Sequence, residues 1–153
     1  MPTVLVRSIA VLAILLTVAC KDPTSPELSA LAAAESRWRD AVPAGRPYTM
    51  QQRVACFCPT GGAYFTVRIV GGVVTTATNV QTGADAPTWV VPLLKTVPQL
   101  FDEIRRATAT RGALVAVAYD PTLGYPTTVS LDPVKNAVDD EIAYETRSVI
   151  IDP

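Results

Sequence analysis

The residues with the most chemical potential in this chain are two thiols one position apart, in Cys56-Phe57-Cys58. Residues on an extended strand advance about 3.3 Å each, so the two Cα atoms of an ideal strand would stand ~6.6 Å apart, near the outer limit for a disulfide. A bridge needs a kink, and Pro59 with Gly61-Gly62 follows at once. Three states are open on this reading: a structural Cys56–Cys58 bridge, two unbridged thiols on the inner face of a strand, or a reversible redox or soft-metal pair. Two thiolates alone leave copper or zinc short of ligands. The chain has no His to complete such a set, which also excludes a Ser-His-Asp triad and a Cys-His dyad.

Other candidates are weaker. Asp132, Asn136, Asp139 and Asp140 could be imagined as a calcium loop, but their spacing fails the EF-hand template with its central Gly and terminal Glu. A solvated acidic face is the plainer reading, and acidic loop residues alone make no glycosidase cleft. In Tyr119-Asp120-Pro121-Thr122-Leu123-Gly124-Tyr125-Pro126, Asp120 can bond the backbone of a turn, Pro121 fixes φ and Gly124 can take φ > 0. The functional alternative is that Tyr119, Asp120, Tyr125 and Pro126 present a rigid aromatic surface to a protein partner. Gly61-Gly62 and Gly71-Gly72 are turns, since neither sits in a phosphate-loop pattern. Trp38 and Trp89 read as core or loop packing. No residue set points to a catalytic centre or a cofactor.

These residues need a scaffold, and 153 residues suffice for one domain. Ser25-Pro26 opens a helix as N-cap and first helical residue, with Leu28, Leu31, Ala34, Trp38 and Ala41 at helical spacing and Pro43 and Gly45 ending it. The period then becomes two: Tyr48, Met50, Gln52, Val54, Cys56 and Cys58 share one face, and Thr49, Gln51, Arg53, Ala55 and Phe57 the other. Strands over 63–70 and 73–80 follow, joined by Gly71-Gly72. A loop over 81–92 leads to the capping box Thr96-Val97-Pro98-Gln99, and a helix burying Val97, Leu100, Phe101 and Ile104 closes at Arg111-Gly112. Strands over 113–119, 127–131 and 141–151 complete the order αβββ-αβββ. The fold class expected is α+β, an antiparallel sheet with two helices packed on one face, read as a duplicated unit.

Charge and leader set the address. With 13 cationic and 14 acidic residues and only Arg105-Arg106 adjacent, no nucleic-acid footprint is expected. Arg7 precedes an uncharged run from Ile9 to Ala19 that is too short to span a bilayer, which needs about 20 apolar residues. Leu16-Thr17-Val18-Ala19-Cys20 resembles the bacterial lipobox, with Thr17 in place of the usual Leu. That resemblance implies a signal peptide over 1–19, a lipid on Cys20, a short tether over 20–26 and one α+β domain over 27–153. The protein would then lie outside the cytoplasm, held to a bacterial membrane, where thiols meet oxidising conditions.

Cys56-Phe57-Cys58-Pro59, Tyr119 to Pro126 and Asp139-Asp140-Glu141-Ile142 together resemble a family of bacterial lipoproteins and secreted proteins known only as a domain of unknown function, the 6174 family. The resemblance covers roughly 48–148 and departs at Met50, where an aromatic is expected. It implies a fold and an extracytoplasmic place and brings no catalytic residues. The function expected is a non-catalytic binding or structural module at the cell envelope, with an envelope protein as a possible partner. The rival is a thiol redox or soft-metal protein centred on Cys56 and Cys58.

Overall fold

The computed structural model describes residues 25–59, 62–110, 113–134, 137 and 139–153. The expected leader, Cys20, most of the tether, the Arg111-Gly112 helix end and Asn136 lie outside the described residues. Helix α1 (Pro26–Ala41) begins where its sequence demands: the Ser25 hydroxyl accepts the Leu28 N–H and Pro26 occupies the first turn. Leu31, Ala34 and Trp38 are buried, while Leu28, expected in that stripe, is more than a third exposed because it stands in the first turn beyond the sheet's cover.

Strands β1 (Tyr48–Cys56), β2 (Tyr64–Val70) and β3 (Val73–Asn79) form an antiparallel meander, and Gly71 and Gly72 both take positive φ as a tight hairpin turn requires. Helix α2 (Val97–Ala109) carries the full capping box between Thr96 and Gln99 and buries Val97, Leu100, Phe101, Ile104 and Ala107. Strands β4 (Leu114–Tyr119), β5 (Pro126–Leu131) and β6 (Ile142–Ile151) form the second meander. The six strands make one sheet in the order β3-β2-β1-β6-β5-β4.

That order corrects the reading of a duplicated unit. The first strand after α1 is central, whereas the first strand after α2 is at an edge, so the halves are not related by the rotation that repetition would give. Length decides the pairing: β1 and β6 are the long strands, and joining them at the centre satisfies the most backbone groups. Ser148, at φ +53°, is the extra residue of the bulge where Thr49 and Gln51 face Ile150 and Arg147.

The alternation read from the sequence sorts the faces. Tyr48, Met50, Gln52 and Val54 of β1, Phe65, Val67 and Ile69 of β2, Val129 and Leu131 of β5 and Tyr144 of β6 are buried on one face, in one core with the helices. Met50 is fully buried, so the departure from an aromatic still fills a core position. Among the described residues, no helix lies on the opposite face of the sheet.

Candidate functional site

The uncovered face holds the most ordered set of polar side chains among the described residues. Period-two strands put Thr49, Gln51 and Arg53 of β1 on that face, and the register sets Arg53 beside both Tyr64 of β2 and Glu145 of β6, with Gln51 beside Thr66 and Arg147. Arg53 is bonded to Glu145 through Nη2 and Oε1, and the Tyr64 hydroxyl donates to Glu145 Oε2 at 2.5 Å. The Arg147 guanidinium stacks 3.8 Å from the Tyr64 ring centroid, and its Nε donates to Gln51 Oε1 at 3.0 Å. A second pair, Arg68 with Asp152, lies further along the face.

Electrostatics follow from these contacts. Hydrogen bonds from Tyr64 and then Arg53 hold the Glu145 carboxyl below its ordinary value, and the bond to Glu145 raises Tyr64. Glu145 therefore stays ionised and spends both oxygens inside the cluster. Arg147 is fixed by stacking and by one hydrogen bond, and among the described residues no ion pair engages it. A guanidinium held over an aromatic ring, with no hydrogen bond from its terminal nitrogens to the described residues, is a fork for a carboxylate or phosphate.

Cys56 and Cys58 are joined by a disulfide, with Cα atoms 5.1 Å apart, and the Cys58 N–H donates to the Cys56 carbonyl at 2.7 Å. The required kink is thus present, and it ends β1 at Cys56, two residues before the strand expected from alternation. Phe57 is carried at the tip, 81% exposed. Asp139 and Glu141 line the same shallow cleft as Cys56 and Phe57.

The proposed partner surface is not presented. Tyr125 and Pro126 are buried, and Trp38 meets Tyr48 and Tyr125 edge-on at 5.1 and 6.5 Å. Tyr119 is half-buried and stacks on Phe101 at 6.5 Å. The turn reading accounts for the motif: Asp120 Oδ1 accepts the N–H groups of Thr122 and Leu123, and Gly124 sits at φ +81° against α1. A Cβ at Gly124 would lie 2.2 Å from the Ala34 carbonyl oxygen, so the segment docks the turn onto the helix.

Asp132, Asp139 and Asp140 are not gathered either. Asp140 Oδ2 accepts the Val134 N–H and orders its own loop, and among the described residues no group of three or more Cys, Asp or Glu could hold a metal ion. Trp38 is core as expected, whereas Trp89 is 44% exposed and lines an apolar cleft of about 250 Å³ with Pro59, Phe65 and Pro87. No helix among the described residues is long and apolar enough to cross a membrane.

Sequence reasoning placed Gln51 and Arg53 on the outer face but missed Tyr64, Glu145 and Arg147 as their companions. The signal is the polar alternation of β1 and β6; the pairing that joins them spans more than 90 residues and cannot be read from either strand alone.

No curated protein and no solved structure matches the chain. A family model does match, over residues 30–151, a range that takes in most of α1 and all six strands. The chain belongs to the Family of unknown function (DUF6174).

Proposed function

We propose that the protein is a non-catalytic binding module of the bacterial cell envelope, held outside the cytoplasm by a lipid on Cys20, whose working surface is the open face of the sheet. The observation that carries this reading is Arg147: stacked on Tyr64, pinned by Gln51, and aimed away from a core that needs nothing from it. Thr66, Thr128 and Ser130 continue the same face, so the ligand class it suits is a carboxylate-bearing, hydroxyl-rich polymer such as the cell wall itself.

The redox rival rests on Cys56 and Cys58. Carboxylates beside a thiol raise its pKa, whereas a reactive pair needs a nearby cation or helix N-terminus, and Asp139 and Glu141 are the charged neighbours in the cleft. These surroundings favour a structural bridge. A reduction potential below about −300 mV would discard the redox reading, and one well above it would restore it.

Two measurements test the proposal. The intact mass of the protein taken from membranes should show a chain beginning at Cys20 with acyl groups added; an unprocessed chain overturns the anchor. Co-sedimentation with isolated wall sacculi should fall roughly tenfold on Arg147→Ala, a loss of about 1.4 kcal/mol. Undiminished sedimentation, or none by the unaltered protein, overturns the binding face.

A further inference from the structure

The two edges of the sheet are treated differently. At the β3 edge the chain turns back on itself: the Asn79 N–H donates to the Ala84 carbonyl, the Ala86 N–H donates to the Ala77 carbonyl, and Thr78 bridges Asp85. Asn79 Oδ1 locks the turn by accepting the Gln81 and Thr82 N–H groups. Residues 84–86 thus occupy the outer side of that strand's second half, and the four residues left, Val73 to Thr76, end in two exposed threonines.

Among the described residues, the β4 edge has no such cover. Its six residues, Leu-Val-Ala-Val-Ala-Tyr, include no charge and no Pro. Val115 is 62% exposed, and Ala116 and Ala118 are exposed too. On the other side of the strand, Leu114, Val117 and Tyr119 are only partly buried, so the core stops short at this margin. The Tyr119 hydroxyl there is buried without a hydrogen-bond partner. Edge strands carry a free row of N–H and C=O groups, and natural sheets blunt them with Lys, Pro, charge or cover. Here the strand is interrupted by register shifts against β5 between Leu114 and Ala116 and between Ala118 and Tyr119, which leaves Ala116 to Ala118 as its regular run.

We propose that β4 is a docking edge for β4 of a second copy of this chain, paired antiparallel about a twofold axis into a twelve-stranded sheet. Three observations select that occupant. The strand is neutral along its length, so its own copy meets it without like charges. The small Ala116 and Ala118 leave room for an identical row on the open face, while Leu114, Val117 and Tyr119 of each copy extend the other's unfinished core. Finally, cover over the second half of β3 leaves only Val73 to Thr76 for a strand to pair with, which disfavours head-to-tail addition, so pairing closes at two copies instead of growing into a filament. The pairing would also place two Arg147 faces on one continuous surface, although it does not depend on what that face binds.

The test uses the full chain in the cells that make it, carrying A116C or A118C and treated with a short bismaleimide, with the unaltered chain setting the background from native thiols. A116C and A118C should give a band of twice the chain mass on a non-reducing gel, and T76C on the opposite edge should not. Adding A118K to A116C should cut the dimer fraction about tenfold, through like charges brought together across the seam, while the thermal midpoint of A118K stays within a few degrees. Absence of a dimer with both β4 cysteines, an equal dimer from T76C, a cross-link to a different protein, or indifference to A118K would each overturn the proposal.

Discussion

Gln52, on the central strand, holds the backbone of Lys95 as a neighbouring strand would: its Nε2 donates to the Lys95 carbonyl at 3.0 Å and its Oε1 accepts the Lys95 N–H at 2.8 Å. Gln52 is fully buried, and Lys95 immediately precedes the N-cap of α2. Beside it, the Tyr48 hydroxyl accepts the Val97 N–H at 3.0 Å. The core face of β1 therefore sets where α2 begins.

Replacing Gln52 by Leu should then be costly although the volume is kept, because both Lys95 groups would be stranded without partners. A loss of about 2–4 kcal/mol is expected in urea unfolding, since each stranded buried group costs roughly 1–3 kcal/mol. A loss under about 0.5 kcal/mol would mean that water replaces the side chain.

Gly124→Ala and Gly83→Ala separate two effects. Both glycines have positive φ, at +81° and +70°, but only Gly124 faces a backbone oxygen where the new Cβ would stand. Gly83→Ala should cost about 1–2 kcal/mol, the left-handed penalty alone. Gly124→Ala should cost more, about 3 kcal/mol or above, because α1 must move as well. Equal losses would show that the turn can shift away from Ala34.

Tyr125→Ala should lower stability by about 3–5 kcal/mol, as for other buried aromatics. Tyr125→Phe should keep most of it. A Tyr125→Ala protein that melts normally would return this residue to the surface role that its burial speaks against.

Acid should loosen the open face. The Glu145 pKa lies below its ordinary 4.5 in the folded protein, so its contribution is fully present above that value and is lost as pH falls through the lower folded pKa. Melting temperature below about pH 4.5 should fall less steeply in Glu145→Gln than in the unaltered protein. At the other end, burial pushes Tyr48, Tyr119 and Tyr144 up to about 12, so stability should decline as pH rises from 10 through that value. Parallel acid limbs for the two proteins would rule Glu145 out as the titrating group.

Reducing the disulfide, or replacing both cysteines by Ser, should leave the fold intact. A cross-link closing three residues is worth at most about 1.6 kcal/mol by loop entropy, against ~3 kcal/mol for a fifteen-residue loop. A chain that unfolds on reduction would give Cys56 and Cys58 a larger structural share than their spacing allows.

Much of this was legible in the residues. Ser25-Pro26, the Thr96 to Gln99 capping box and Gly71-Gly72 each name a local geometry whose cause lies within four residues, and each stands where it was read. Alternation likewise separated Met50 and Gln52 from Gln51 and Arg53. What failed was non-local. Tyr125 carries the same composition whether it faces a partner or Trp38, and only the approach of Gly124 to Ala34 decides. The Arg53, Tyr64, Glu145 and Arg147 cluster depends on β1 choosing β6, which no single strand encodes.

That choice has a temporal side. The centre of the sheet joins a strand that starts at Tyr48 to one that reaches Ile151, so a growing chain has its first meander complete long before the neighbour that flanks β1 exists. Until residues 142–151 emerge, β1 is itself an open rim, and contacts of such wide sequence separation close slowly. Nascent chains of this protein should therefore stay susceptible to proteases and receptive to chaperones until residues 142–151 have emerged, and then close in a single step.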